Sequence, residues 1–233
     1  LHGSGMDHRA WALQSRWFAF HGYNVVAPDF PAHSLSEGTA LTSIEESSGW
    51  LLELLDELKL EKVHVVGHSQ GYLSGLELAA NNPERVLSLT GIGTAAAIPV
   101  NPALIETAKA SAFQAADMML QWGFGPKIHL GTSPTPGMQP LGQGRQIMGN
   151  NPLAEDLQCC ADYEGGQAAL SKVECRTAMI LAGKDKMTPM KAGLAVAETL
   201  KAELTVLPDY GHMLPVEAPT EVLAALRAFI GSQ

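Results

Sequence analysis

The chain has 233 residues, of which 46% are hydrophobic and 17% are charged, and this balance excludes intrinsic disorder and fits one globular domain with a single core. The formal net charge of -9 argues against nucleic acid or an anionic membrane surface as the main partner. The three cysteines, Cys159, Cys160 and Cys175, match neither a zinc site nor a disulfide framework, which predicts a reducing, cytoplasmic location. No apolar run has the length of a membrane span.

Strand-like and helix-like patterns alternate along both ends of the chain. Such alternation is typical of an α/β fold, with a mostly parallel central sheet and helices on both of its faces. Apolar residues at helical spacing predict the helices, and short apolar runs bounded by turn residues predict the strands. The predicted helices are 9–21, 44–58, 71–81, 191–200 and 220–230, and the predicted strands are 25–28, 63–66, 86–92, 176–183 and 204–208.

The alternation fails in the middle of the chain. Residues 94–172 are rich in Pro, Gly and Met, with helical patterns at 102–122 and 153–169 and a predicted loop at 131–144. We interpret this segment as a helical lid inserted into a core formed by residues 1–93 and 173–233. A lid of this kind roofs a site and supplies an apolar pocket. The candidate pocket residues are Met118, Met119, Trp122, Phe124, Met138 and Met148.

A Gly-x-Ser-x-Gly motif places Ser69 between Gly67 and Gly71, where a predicted strand passes into a predicted helix. A chain that turns this sharply holds the central hydroxyl out of the sheet, ready for nucleophilic attack. Glycine suits the flanking positions because the turn leaves no room for Cβ atoms. The helix that begins at about Gln70 directs its first N–H groups toward an oxyanion at the serine. We therefore interpret Ser69 as a nucleophile and the backbone N–H of Gln70 as an oxyanion donor.

A base and an acid that could activate this serine follow later in the chain. A serine hydroxyl needs a base to take its proton and a third group to orient that base. Asp185 lies in the polar loop after the predicted strand 176–183, and His212 lies in the loop after 204–208. The order serine, acid, histidine therefore predicts a triad in which His212 is the base and Asp185 fixes its tautomer.

Three further segments extend the pattern to nearly the whole chain, which resembles the α/β-hydrolase superfamily, in particular its single-domain esterases and lactonases with a helical lid. Residues 1–7 resemble the family's His-Gly oxyanion loop. Residues 25–36 resemble its strand and the loop D-x-P-G-H-G-x-S, although Ala32 and Ser34 stand where the family often has glycine. Residues 83–86 resemble the usual lead into the next strand.

The position of the His-Gly motif at the start of the chain has a structural consequence. In the family this loop follows a central strand, itself preceded by a hairpin, so we expect these N-terminal strands to be missing from this chain. Two strands would then face a gap with unpaired N–H and C=O groups. Whether the preceding residues are absent from the sequence or the chain is a truncated clone stays open, and so does a signal peptide ahead of Leu1.

The triad and the resemblance together predict a serine hydrolase that cleaves carboxylic esters of small to medium apolar acyl groups through an acyl-enzyme. The resemblance implies that the backbone N–H of Ser4 joins that of Gln70 in the oxyanion hole, and that no metal or organic cofactor is needed. The expected partner is a small-molecule ester, and the oligomeric state is open. Alternatives with the same triad are an enol-lactonase, a C–C bond hydrolase and a thioesterase. An alternative of another class is a non-catalytic ligand-binding protein of this fold.

The remaining charged and titratable candidates are assigned structural roles. His2 and His68 are expected to hydrogen-bond locally, because the base must reach the serine hydroxyl itself. The lid cations Lys127 and Arg145 are expected to be solvated rather than to bind substrate.

Overall fold

The sheet consists of parallel strands. The computed structural model describes residues 1–126 and 138–231, and the side chains of these residues except 138–140. Within this part four strands pair in the order β1-β2-β3-β4, and all three pairings are parallel. Because β2 and β3 are buried along nearly their whole length, both faces of the sheet must be covered. The strands are β1 (Val63–His68), β2 (Val86–Ile92), β3 (Arg176–Ala182) and β4 (Glu203–Leu207).

Helices cover the sheet on both sides. Successive side chains of a strand point to opposite faces, and in β3 Ala178 and Ile180 join one apolar cluster whereas Met179 and Leu181 join the other. The first cluster includes residues of α1 and α11, and the second includes residues of α2, α3 and α9. The helices are α1 (Ala12–Phe20), α2 (Ile44–Glu57), α3 (Gln70–Asn81), α4 (Pro102–Ala110), α5 (Ala112–Gly123), α6 (Met138–Asn150), α7 (Leu153–Asp162), α8 (Gly166–Leu170), α9 (Met190–Leu200), α10 (Leu214–Glu217) and α11 (Pro219–Ile230).

The middle of the chain departs from its predicted elements in three places. The predicted helix at 102–122 is two helices, because Ser111 has extended backbone angles and its side chain accepts a hydrogen bond from the Gln114 N–H at the start of α5. The pattern at 153–169 likewise divides into α7 and α8. The predicted loop at 131–144 is wrong from Met138 onward, where α6 begins. Helices α4 to α8 lie between β2 and β3 in the chain, although these two strands are neighbours in the sheet.

The predicted strand at 25–28 is wrong, since these residues form no strand pairing. They and β1 instead border an apolar groove of about 320 Å³. At one end of the groove Leu1 pairs with β1: its backbone nitrogen lies 2.6 Å from the Val66 carbonyl oxygen, and the His68 N–H donates to the Leu1 carbonyl at 3.1 Å. No helix in the described part of the chain combines the length and the apolar character needed to cross a membrane.

Candidate active site

Ser69 occupies a strained turn between β1 and α3. Its backbone angles of φ 52° and ψ -121° are rare for a residue with a side chain. A Cβ atom on Gly67 would lie 2.5 Å from the Tyr72 backbone, and one on Gly71 would lie 2.4 Å from the His2 carbonyl oxygen. The turn is held by the Ser69 N–H, which donates to the Ile92 carbonyl at 3.0 Å. Both glycines of the motif are therefore required by close backbone approach, as the sequence predicts.

Asp185 and His212 form a buried hydrogen-bonded pair at the carboxyl ends of β3 and β4. The His212 Nδ1 atom lies 2.8 Å from Asp185 Oδ2. The other carboxylate oxygen accepts the backbone N–H groups of Met187 and Thr188, each at 2.8 Å. The Thr188 hydroxyl donates to Asp185 Oδ2 at 2.8 Å and lies 3.2 Å from His212 Nδ1. Thr188 was not among the predicted residues, although a Thr three residues after an Asp is a common turn pattern.

The surroundings of Asp185 favour its ionised form. Burial by itself would raise the pKa of this carboxyl group, but the charge and hydrogen bond of His212 and the Thr188 donors outweigh burial, so the pKa is lowered. The Nδ1 atom of His212 therefore faces a strong acceptor, and no hydrogen bond in the described part of the chain occupies its Nε2 atom.

Ser69 and His212 line the same cavity, which has a volume of about 140 Å³. His212 is anchored through its backbone, since its N–H donates to the Gly123 carbonyl at 2.6 Å and its carbonyl oxygen lies 2.9 Å from His68 Nε2. Among the described residues no hydrogen bond joins the Ser69 hydroxyl to the His212 ring. Such bonds are often long in ligand-free sites and tighten when substrate binds. The structure thus brings Asp185 and His212 into contact and places His212 and Ser69 on one cavity.

The two predicted oxyanion residues flank Ser69. Gln70 is the first residue of α3, so its N–H is one of the unpaired donors of a helix N-terminus. Ser4 also lines the cavity, in a turn closed by the Met6 N–H, which donates to the Gly3 carbonyl at 3.0 Å. A Cβ atom on Gly3 would lie 3.2 Å from the Ser69 Cβ atom, so this turn packs directly against the serine. The arrangement can hold a tetrahedral oxyanion between two backbone donors.

His2 has a local partner, as predicted, whereas His68 bonds the backbone of His212, which is distant along the chain. His2 Nδ1 lies 3.0 Å from the Gly3 carbonyl oxygen, and its Nε2 accepts the Phe30 N–H at 3.2 Å. Burial lowers the pKa of His2 to about 4 and that of His68 to about 3, so both rings are neutral. His2 Nε2 and His68 Nε2 are occupied by these bonds to backbone, whereas His68 Nδ1 is buried without a hydrogen-bond partner in the described structure.

The cavity has a largely apolar lining that differs from the predicted pocket. Two of the predicted pocket residues, Met119 and Trp122, line the cavity. Three others do not line it and pack in the apolar cluster that includes residues of α1 and α11, namely Met118, Phe124 and Met148. The side chain of Met138 lies outside those the structure describes. Lys186 is the one lysine or arginine among the lining residues of the described part of the chain. The lining residues that the sequence patterns did not indicate include Met6, Ile98, Val100, Asn101, Leu104, Leu157, Cys160, Lys186, Met187 and Met213.

The predicted lid cation Arg145 does not reach the cavity. Its Nε atom donates to Asp117 at 2.7 Å, and its guanidinium group lies over the Phe113 ring. Lys127 lies outside the described residues.

One group of side chains has the composition of a cation site. Ligand atoms of Asp7, His8 and Asp29 lie within 4.8 Å of one another. The His8 ring already pairs with Asp29 at 2.9 Å, and the Asp7 carboxylate is paired with the Arg9 side chain. A metal ion would have to displace Arg9, so the cluster is satisfied as an ion-pair network.

Two proteins of known name are similar to the chain in sequence, one over nearly the whole chain and one over part of it. The chain is 29% identical over 253 residues to the dihydrolipoyllysine-residue acetyltransferase component of the acetoin cleaving system from Cupriavidus necator, and this match covers 99% of the chain and 62% of that relative's length. It is 40% identical over 116 residues to 2-hydroxy-6-oxononadienedioate/2-hydroxy-6-oxononatrienedioate hydrolase 2 from Pseudomonas putida, covering 47% of the chain and 41% of the relative.

Solved structures and family models extend the likeness to the whole fold. The enol-lactonase from Burkholderia xenovorans LB400 superimposes with a TM-score of 0.87 at 21% identity, over 99% of this chain and 89% of that one. The model of the alpha/beta hydrolase family matches residues 1–226. The chain therefore belongs to the alpha/beta hydrolase family.

Proposed function

We propose that the protein is a serine hydrolase that cleaves carboxylic esters of small to medium apolar acyl groups, with Ser69, His212 and Asp185 as its triad. The observation that carries the proposal is the hydrogen bond of the buried Asp185 to His212, which lines the same cavity as Ser69. Ser69 has a positive φ and lies between a strand and a helix, beside the two proposed backbone N–H donors. This arrangement supports the same assignment. The family membership supports hydrolysis in general, and the geometry favours acyl transfer within it.

In the proposed mechanism His212 takes the Ser69 proton as the hydroxyl oxygen attacks the ester carbonyl. Asp185 holds the imidazole in the required tautomer and stabilises the imidazolium that forms. The backbone N–H groups of Ser4 and Gln70 bind the oxyanion, and one such donor contributes about 3 to 4 kcal/mol to the lowering of the barrier. The alcohol then leaves with the proton from His212. Water attacks the acyl-enzyme by the same route and releases the acid and free Ser69.

We assign residues 94–172 to the lid and residues 1–93 and 173–233 to the core. The lid segment supplies Ile98, Leu104, Met119, Trp122 and Leu157 to the cavity, so its helices set the shape of the acyl pocket. A volume of about 140 Å³ is small beside the roughly 300 to 1,000 Å³ of sites for drug-sized ligands. The proposal therefore favours short acyl groups.

Active-site labelling tests the proposal. A fluorophosphonate should label the folded wild-type protein once, and Ser69→Ala should abolish both labelling and the hydrolysis of short p-nitrophenyl esters. Asp185→Asn should reduce kcat by about 10⁴, because the imidazole then adopts the wrong tautomer. Unlabelled folded wild type, or ester turnover unchanged in Ser69→Ala, would favour the non-catalytic, ligand-binding alternative.

A second candidate is hydrolysis of a C–C bond in a vinylogous diketone that carries a carboxylate. The Pseudomonas putida relative is named for a dienedioate substrate. Lys186 lines the cavity, and the described lining residues include no aspartate or glutamate that could pair with it there. Lys186→Gln should lower kcat/KM for an anionic substrate by about threefold to fivefold, since an exposed ion pair contributes at most about 1 kcal/mol. Lys184→Gln is the matched control, because Lys184 is exposed two residues away and does not line the cavity.

A panel of substrates separates the two candidates. Neutral p-nitrophenyl esters, p-nitrophenyl hemiesters of dicarboxylic acids and a carboxylate-bearing vinylogous diketone should be compared at equal ionic strength. Turnover of the diketone above that of every ester would overturn the ester assignment. An equal effect of Lys186→Gln on neutral and anionic substrates would remove the support for the second candidate.

A further inference from the structure

We propose that Asp156, on the lid helix α7, is a positioning residue that holds both oxyanion donors in place. This inference rests on the proposed function, because it concerns how the Ser4 and Gln70 N–H groups are aimed. Asp156 is 6% exposed, and its carboxylate contacts the Ser4–Gly5 loop, the Gln70 side chain and His33. One carboxylate of the proposed lid therefore contacts both residues next to or at the proposed oxyanion donors, through the backbone N–H of Gly5 and the side chain of Gln70.

The first contact fixes the loop that carries Ser4. The Gly5 N–H donates to Asp156 Oδ2 at 2.6 Å, and the Asn151 amide donates to the Gly5 carbonyl at 2.9 Å. Both polar groups of Gly5 are thus held by side chains of the lid segment. Gly5 has a φ of 66°, and a Cβ atom there would lie 2.8 Å from Leu153 of α7. The loop thus has little freedom to rotate the neighbouring Ser4 N–H away from the cavity while α7 is docked.

The second contact reaches the nucleophile turn. The Gln70 side-chain amide donates to Asp156 Oδ1 at 3.4 Å, while the backbone N–H of the same residue is the other proposed oxyanion donor. Gln70 is 6% exposed, so this amide has few other partners available. Asp156 does not line the cavity itself, although Leu157 and Cys160 of the same helix do. It therefore acts through the residues it holds.

His33 is the third partner of this buried carboxylate. The His33 Nδ1 atom lies 3.0 Å from the Pro31 carbonyl oxygen, and its Nε2 lies 2.9 Å from Asp156 Oδ2. Both ring nitrogens therefore face acceptors, an arrangement that favours the protonated ring. Burial acts to lower the pKa of His33, but the hydrogen bond and charge of Asp156 outweigh it and raise this pKa. The nearby His2 ring is neutral and adds no charge.

A positioning role makes a specific kinetic prediction. An oxyanion hole binds the tetrahedral transition state rather than the ground state, so disturbing its donors lowers kcat and leaves KM unchanged. A displacement of about 1 Å at a catalytic group can cost about 100-fold in rate. We expect Asp156→Ala to lower kcat for a short p-nitrophenyl ester by about 10- to 100-fold.

The experiment compares Asp156→Ala and Asp156→Asn with Asp162→Ala. Asp162 is an exposed residue of the same helix whose carboxylate accepts only from Gln158 in the described structure. Steady-state kinetics should be combined with the affinity for butaneboronic acid, which forms a tetrahedral adduct on the serine. Asp156→Ala should weaken boronic acid binding by about the same factor as kcat/KM falls. Asp156→Asn keeps the shape and one acceptor, so it should recover part of the loss, and Asp162→Ala should match the wild type.

Different outcomes overturn different parts of the reasoning. If Asp156→Ala folds and has the kcat and boronic acid affinity of Asp162→Ala, the positioning role is wrong. If KM rises while kcat is unchanged, Asp156 only docks α7, because Leu157 and Cys160 on that helix line the cavity. If Asp156→Ala does not fold, Asp156→Asn decides between the same two results. Failure of the proposed function is separate, since fluorophosphonate would then leave the wild type itself unlabelled.

Discussion

Two residues in the loop after Asp29 have backbone angles that favour glycine. Ala32 has a φ of 65° and Ser34 a φ of 49°, the positions where the family often has glycine. A left-handed residue with a Cβ atom costs about 1 to 2 kcal/mol, partly offset by the greater chain entropy that glycine loses on folding. Ala32→Gly should therefore raise the free energy of unfolding by about 0.5 to 1 kcal/mol in urea titrations.

The reverse exchange at Gly38 is the matched comparison. Gly38 has a φ of 101°, and an added Cβ atom would make only ordinary contact with Pro31 at 3.7 Å. Gly38→Ala should lower the free energy of unfolding, because the backbone angle alone opposes it. A stabilising Gly38→Ala, or a destabilising Ala32→Gly, would show that backbone strain does not govern this loop.

The buried ring of His68 makes stability depend on pH. Burial lowers the pKa of His68 to about 3, so between pH 6.5 and 3 the unfolded chain binds a proton that the folded protein does not. The free energy of unfolding must then fall as the pH falls through this window. His68→Gln keeps a donor for the His212 carbonyl, and should reduce the slope between pH 6 and 4 by about 1.4 kcal/mol per pH unit. Identical slopes for wild type and variant in urea titrations would contradict this.

At the scale of single elements, α6 offers two glycines with opposite surroundings. An added Cβ atom on Gly142 would meet nothing within 4 Å, whereas one on Gly149 would lie 2.2 Å from the Phe113 ring of α5. Alanine is favoured over glycine in a helix by about 0.8 to 1.0 kcal/mol. Gly142→Ala should therefore raise the melting temperature, and Gly149→Ala should lower it because α5 and α6 must separate. Equal shifts of the melting temperature for the two variants in calorimetry would mean that helix propensity alone determines the effect of each substitution.

At the scale of the whole molecule, the larger apolar cavity is not the candidate site. The groove between residues 25–28 and β1 has about 320 Å³, against about 140 Å³ for the cavity at Ser69. The groove lies between residues 25–28 and β1, where the central strand of the family is expected, so its size does not indicate a ligand site.

The sequence was sufficient for the features that depend on local chemistry. The Gly-x-Ser-x-Gly turn at Ser69, the strands at β2 and β3, and the polar loops holding Asp185 and His212 are each encoded within about ten neighbouring residues. Parallel strands bring their carboxyl ends to one edge, so the meeting of Asp185 and His212 follows from the order of elements. The local pattern also predicts a strand at residues 25–28, and this prediction is wrong. A strand forms only when another strand pairs with it, and a local pattern does not show whether that partner is present.

Tertiary structure alone decided what surrounds the proposed triad. Met148 and Met119 are both buried in one core cluster, yet only Met119 also lines the cavity. Asp156 gave no signal in the sequence, and its importance comes from partners more than 80 residues away along the chain. The physical reason is that helical spacing determines which residues share a face, whereas the packing of one helix on another determines what that face meets.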